Sequence, residues 1–317
     1  MAWRGVVQTL AGVANAWAWW FAARPWFADS DGTSNLVRGA MWAGIVVGAT
    51  MILGGAGSAL LVSERYYPLA RAQARVGLCT TTRLTFRCRP FRILLLALVL
   101  FAVPTSMVGA LSWYVLCYHV LGGDLAGAAM YGGLAGTAYS ILGAASVPVA
   151  AWLARRHEKG RALQGALFAG AVVLAASFAL YTPAAPILSV FAHGLFGVTA
   201  SGFFWVLLPS MLADVVDFDE LENGQRREGA FSSTLSYVLK LGTTVTLLLT
   251  GPLIELGGFD ARRALQDPGT VTWLRILFAV VPAAAALLAA LALRRYPLTR
   301  GAMNDIRARL EARRGTI

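Results

Sequence analysis

Charge is what this chain has least of. Only 14% of its 317 residues are Asp, Glu, Lys or Arg, against 57% that are hydrophobic, where a soluble domain carries about 25% charged residues. A chain so short of polar side chains cannot clothe a water-soluble globule whose segments are apolar on every side. Cysteine is nearly missing too: Cys79, Cys88 and Cys117 make no even-numbered disulfide framework and have no histidine at metal-ligand spacing. Histidine occurs only at 119, 157 and 193. The glycine-rich phosphate loop, HExxH and GxSxG are all absent, so no enzyme and no resident cofactor are expected. The first apolar run also lacks the polar end and small-residue cleavage site of a secretory signal.

What the chain does have is long apolar blocks. Eight spans are drawn at about 3–23, 38–62, 92–119, 125–153, 162–181, 185–213, 229–256 and 272–294. Each is long enough to cross a hydrocarbon layer of ~30 Å as a helix. The expected fold class is an all-α polytopic membrane protein with the lipid bilayer as its surroundings. Glycines such as Gly133, Gly136, Gly143 and Gly197 let helices approach closely. Pro104, Pro148, Pro209, Pro252 and Pro282 can bend them.

The net charge of +11 does not point to nucleic acid, because the positives cluster between the apolar blocks. With an even number of spans both termini lie on one side. Twenty-one of the 27 Lys and Arg residues then share that side, and five, Arg24, Arg38, Arg262, Arg263 and Arg275, face the other. This bias predicts cytoplasmic termini in a plasma (inner) membrane. The predicted organisation is two spans in residues 1–62, a basic connector at 63–91, six spans in 92–294 and a tail at 295–317. The connector reads as a solvated linker touching anionic headgroups. In the tail, Met303, Ile306 and Leu310 recur at helical spacing and predict an amphipathic helix along or under the bundle.

Few polar residues interrupt the spans. His193, in FAHGLFG, either bonds a neighbouring helix or lines a substrate path. Lys240, in FSSTLSYVLKLGTTVTLLL, lies about 16 Å from the nearer end of its span. An ammonium at that depth costs at least ~2.5–3.5 kcal/mol in lipid, so it is expected to face a wet cavity or the bundle interior. Ser233, Ser236, Tyr237 and Thr244 stand at i−7, i−4, i−3 and i+4 and share its face. The stripe reads as the wall of an aqueous pathway, or else Lys240 is a structural lysine paired within the bundle.

The densest charge lies at 211–228, MLADVVDFDELENGQRRE. Its span is expected to end near Ala213, and Asn223-Gly224 is a turn signal. A tight loop carrying Asp214, Asp217, Glu220, Arg226, Arg227 and Glu228 is therefore predicted. Asp214 and Asp217, one helical turn apart, can pair with arginines on adjacent helix ends.

This stretch, LPSMLADVVDFDELENGQRREGAF, followed by a span with a central lysine, resembles the loop between the tenth and eleventh helices of the glycoside–pentoside–hexuronide:cation symporter family. That family is the melibiose-permease-like branch of the major facilitator superfamily. The pattern, two acids three apart and then acid-x-x-x-G-x-R-x-E-G, is met by Asp214, Asp217, Glu220, Gly224, Arg226, Glu228 and Gly229. The resemblance implies a major-facilitator helix bundle whose eight spans correspond to helices 5–12, with the first four missing. It implies alternating-access symport of a sugar or glycoside with Na⁺ or H⁺ as coupling cation. Lys240 falls where relatives place a lysine beside the substrate and cation sites, Trp205 fits the aromatic run before the loop, and Arg4 resembles an arginine lining the sugar site. The charged loop is implied to be a cytoplasmic latch. No Asp or Glu lies deep within any of the eight spans. A lysophospholipid or other small solute remains an alternative substrate, and a membrane scaffold or sensor, or an inactive truncated product, an alternative role.

Overall fold

Apolar runs of this length must satisfy every backbone group internally, and helices do so within one segment. A computed structural model of the chain describes residues 2–22, 24–27, 36–61, 85–263 and 265–314, and among these there is no strand. Among the described residues seven helices are long and apolar enough to cross a membrane. The helices are α1 (Ala2–Ala16), α2 (Ala18–Ala22), α3 (Leu36–Leu61), α4 (Arg89–Val120), α5 (Leu125–Arg156), α6 (Lys159–Leu180), α7 (Ile187–Asn223), α8 (Glu228–Leu256), α9 (Pro268–Leu293) and α10 (Arg300–Arg314).

The expected first span differs, because its helix is interrupted at Trp17. There the indole Nε1 donates to Thr137 Oγ1 on α5 at 2.9 Å, and the ring lies where a Cβ on Gly133 would stand, 3.0 Å away. Docking onto α5 thus coincides with the break. Most of the expected connector, including Cys79, lies outside the described residues. The third span starts earlier than expected, at Arg89, with Cys88 as N-cap and a proline in the first turn, a position proline favours.

The core of 85–314 is built from α4, α6, α7 and α9. Ala283, Ala286, Ala289 and Ala290 keep one side of α9 small, and all four are buried. Such a surface lets neighbouring backbones approach, and Gln164 Nε2 of α6 donates to the Ala290 carbonyl at 3.0 Å. Phe101 on α4 packs against Phe204 on α7, their ring centroids 4.4 Å apart. Between α5 and α7 the approach is closer still: a Cβ on Gly197 would land on the Tyr139 carbonyl. Three stretches, Val115–Val120, Val198–Phe204 and Ile276–Val280, are π-helical. They change the register of α4, α7 and α9 part-way along.

α3 and α8 are packed least. In α3 only 6% of the most apolar window is buried, and in α8 only 17%. α8 leans on α4 through Phe231, whose ring centroid lies 4.9 Å from that of Phe91, and through Gly242, which stands against Val103.

Because the helices alternate in direction, the start of α4, the ends of α5, α7 and α9 and the starts of α6 and α8 share one face. It carries Arg155, Arg156, Lys159, Arg226, Arg227, Arg294 and Arg295 and is called the basic face below. The tail helix α10 lies on it, with Met303, Ile306 and Leu310 all buried. Arg300 Nη2 donates to the carbonyls of Ala154 (3.1 Å), Arg155 and His157 (3.2 Å). A guanidinium there satisfies carbonyls that the α5 terminus leaves open.

Candidate functional site

The expected loop at 214–228 is largely helix. α7 continues through Asp214, Asp217, Asp219, Glu220 and Glu222 to Asn223 and ends at Gly224, whose φ of +71° suits the left-handed cap that glycine adopts freely; Glu228 opens α8. At 37 residues α7 is about 55 Å long, so its last turns project past a ~30 Å hydrocarbon layer. The helix persists because Met211, Asp214, Val215 and Asp219 continue one buried side, and the charges on that side find partners.

Asp214 is 4% exposed. Its Oδ2 accepts from Lys159 Nζ at 2.6 Å and its Oδ1 from Arg307 Nη2 at 2.9 Å. The same Lys159 donates to the Ser210 carbonyl at 3.3 Å. One carboxylate therefore joins α7 to the start of α6 and to the tail helix. Asp217 stands between Arg226 Nη1 at 3.1 Å and Arg307 Nε at 4.0 Å. Arg226 also donates to Glu220 at 3.2 Å and Glu228 at 3.3 Å. Burial alone would lower the Arg226 pKa, but the bonds to Glu220 and Asp217 outweigh it and hold the group above its ordinary value.

Arg227 and Asp219 form a second, deeper pair, their side chains 7% and 2% exposed. Arg227 Nε donates to Asp219 Oδ2 at 2.9 Å and Nη2 to Oδ1, and Asn223 Nδ2 adds a bond to Oδ1 at 2.9 Å. The Cys88 thiol lies near these charges. Burial, the largest influence, with Asp219 and Glu222 adding to it, raises its pKa to about 11.

Asp219, Lys159 and Arg307 did not stand out in the sequence. A usable signal was present for Arg307: with Arg300 it sits at three- and four-residue spacing on the stripe of Met303 and Leu310. An arginine within the apolar face of an amphipathic helix needs an acceptor facing it, which is a carboxylate for Arg307 and backbone carbonyls for Arg300.

The second candidate region is the polar stripe of α8. Ser233, Ser236, Tyr237, Lys240 and Thr244 are all exposed, Tyr237 at 64%. Near mid-helix the buried side of α8 is the opposite one, where Gly242 and Thr246 press on Val103 of α4. Ser233 Oγ turns back to the Ala230 carbonyl. The side chains of Ser236, Tyr237, Lys240 and Thr244 have no hydrogen-bond or ion-pair partner among the described residues. The helical core therefore does not enclose the stripe; it presents it. Trp205 is 40% exposed at the end of the π-helical stretch of α7 and packs edge-on against Phe204. His193 stands apart from the stripe: Tyr181 Oη lies 3.4 Å from its Nδ1, and its ring neighbours are Tyr139 and Phe196. Arg4 lies on α1, but its side chain is outside the described part. Among the described residues no cluster of His, Cys, Asp and Glu could hold a metal ion.

A basic face stapled by ion pairs, under a bundle of helices long and apolar enough to cross a membrane, defines a multi-pass helical membrane protein. Residues 1–300 match the family described as MFS/sugar transport protein, and the chain belongs to that family. It is similar to an uncharacterized symporter of Synechocystis sp. (43% identical over 114 residues) and to the inner membrane symporter YicJ of Escherichia coli (36% over 108 residues). It is also similar to the isoprimeverose transporter of Lactiplantibacillus pentosus (31% over 155 residues). The matches cover 34%, 34% and 48% of this chain but only 21%, 22% and 31% of those relatives.

Proposed function

We propose that the protein carries a sugar or glycoside across the membrane together with a cation, by alternating access. The observation that carries this reading is the polar stripe of α8, centred on Lys240 and open to one side, in a chain of a sugar-transport family. An ammonium at that depth cannot rest against acyl chains without a cost of at least ~2.5–3.5 kcal/mol, which a water-filled path or a bound polyol removes. In this reading Lys240 donates to substrate hydroxyls, and Ser233, Ser236, Tyr237 and Thr244 extend the hydrogen-bonding surface. Trp205 offers an aromatic face to a sugar ring, and Arg4 and His193 remain candidates for the same path. The names of the isoprimeverose transporter and of the symporters support the substrate class and the coupling. Na⁺ and H⁺ are the candidate cations.

The excess of Lys and Arg on the basic face supports a cytoplasmic placement of that face and of both termini in an inner membrane. Asp214, Asp217 and Glu220, with Arg226, Arg227 and Glu228, then form the proposed cytoplasmic latch, to which Lys159 and Arg307 belong as well. Its pairs join α6, α7, the start of α8 and the tail helix, and in this reading they hold the outward-facing state and break when the cytoplasmic side opens.

The test is uptake of labelled disaccharides into vesicles holding the protein, with and without an inward Na⁺ or H⁺ gradient. Gradient-driven accumulation that Lys240→Ala removes, with the protein still inserted in the membrane, is the expected result. Unchanged uptake by Lys240→Ala would reduce the lysine to a structural role.

A further inference from the structure

The basic face has a second feature that the transport reading does not use. Between the start of α4 and the end of α9 lies a groove of about 570 Å³. Arg89 and Arg92 line it from α4, and Arg294 and Arg295 from the end of α9. All four are exposed, and none is paired with a carboxylate among the described residues. This sets them apart from Lys159, Arg226, Arg227 and Arg307 on the same face, each of which has an acid within 4.0 Å. Below the charges the groove wall turns apolar: Ile93 and Leu96 on α4 face it together with Leu291 on α9, and Leu96 and Leu291 are more than two-fifths exposed.

We propose that this groove binds an anionic phospholipid. Its phosphate sits between the Arg89–Arg92 and Arg294–Arg295 pairs, and an acyl chain lies along Leu96 and Leu291. Four uncompensated guanidiniums at one point demand negative charge, and arginine forks match phosphate oxygens in pairs. Their position at helix ends, directly above an exposed apolar wall, fits an amphiphile lying parallel to the helices rather than a soluble anion. Basic pockets between transmembrane helices are a recurring way of holding such headgroups. α4 adds to the field, because its N-cap Cys88 makes no side-chain cap and the first-turn N–H groups point toward the headgroup layer. The proposal rests on the membrane placement of the basic face and not on transport, so it stands or falls separately from the uptake experiment.

The test uses the full chain in phosphatidylcholine nanodiscs doped with phosphatidylglycerol, read by native mass spectrometry of retained lipid. One phosphatidylglycerol per chain is expected to survive conditions that strip phosphatidylcholine. Arg92→Gln with Arg295→Gln should lower its retention roughly 25-fold, about fivefold for each surface arginine removed. Leu291→Trp, which fills the groove and leaves every charge in place, should also lower it. Arg156→Gln with Arg309→Gln removes two arginines of the same face outside the groove and should leave retention unchanged. Equal retention of the two lipids, equal losses in the two charge variants, or displacement by excess inorganic phosphate would each overturn the proposal. They would indicate, respectively, no headgroup selection, diffuse attraction or a soluble-anion site.

Discussion

Individual charges on this protein differ in consequence according to how far water has been removed from them. Asp219 and Arg227 are buried together, and breaking such a pair by removing one member leaves an uncompensated buried charge. Asp219→Asn is therefore expected to cost about 3–5 kcal/mol in thermal unfolding of the purified protein. Asp217 stands at the same helix end with a 21% exposed side chain against the 46% exposed Arg226, and Asp217→Asn should cost no more than about 1 kcal/mol. Equal losses in the two variants would show that burial does not separate these pairs. Cys88 yields a different prediction: a buried thiol with its pKa raised to about 11 stays protonated at neutral pH. The thiolate is the reactive form, so native protein should resist alkylation at Cys88 near pH 8 and be labelled there only once unfolded. Fast labelling in the native state, located by peptide mapping, would contradict the packing around it. At this scale residue types were readable from the sequence and partners were not. Asp214 pairs with residues 55 and 93 positions away, and one sequence can show that a charge needs a partner without showing which distant residue supplies it.

Among elements, the spans were the most legible part, because hydropathy over 20 residues is a property of the segment alone. The end of α7 was misread for the same reason. A run of carboxylates reads as departure from the membrane and hence as a loop, yet the buried stripe through Asp214, Val215 and Asp219 continues the helix past the lipid. The tail shows the converse. Met303, Ile306 and Leu310 repeat at helical spacing and are all buried, so an amphipathic tail helix could be read directly. Its fastening, Arg300 on the α5 carbonyls and Arg307 on Asp214, required the fold. Each buried apolar side chain of this kind contributes about 1.5–3 kcal/mol, so Met303→Ser with Ile306→Ser should release α10. Trypsin would then cut at Arg307 and Arg309 at least about tenfold faster than in the unaltered protein, since 1.4 kcal/mol already corresponds to that factor. Unchanged protection would place the hold on the tail in Arg300 and Arg307 alone.

Across the whole molecule, the packing is uneven in a way that suits a carrier. α4, α6, α7 and α9 form a well-buried group, while α8 shows a polar side and α3 an apolar one with little covering among the described residues. The N-terminal helices attach through α5, where Trp17 bonds Thr137 and Ala16 stands against Gly136. If the stripe on α8 is the wall of the solute path, its central cation decides the outcome. The measurement that bears on this most directly compares gradient-driven disaccharide uptake by vesicles holding the protein and by the Lys240→Ala variant, at equal amounts of inserted protein. A hydrogen bond from a charged group is worth about 1.5–3 kcal/mol, so uptake is predicted to fall at least about tenfold in the variant. Equal accumulation by the two proteins, or none by the unaltered protein under either a Na⁺ or an H⁺ gradient, would contradict the account.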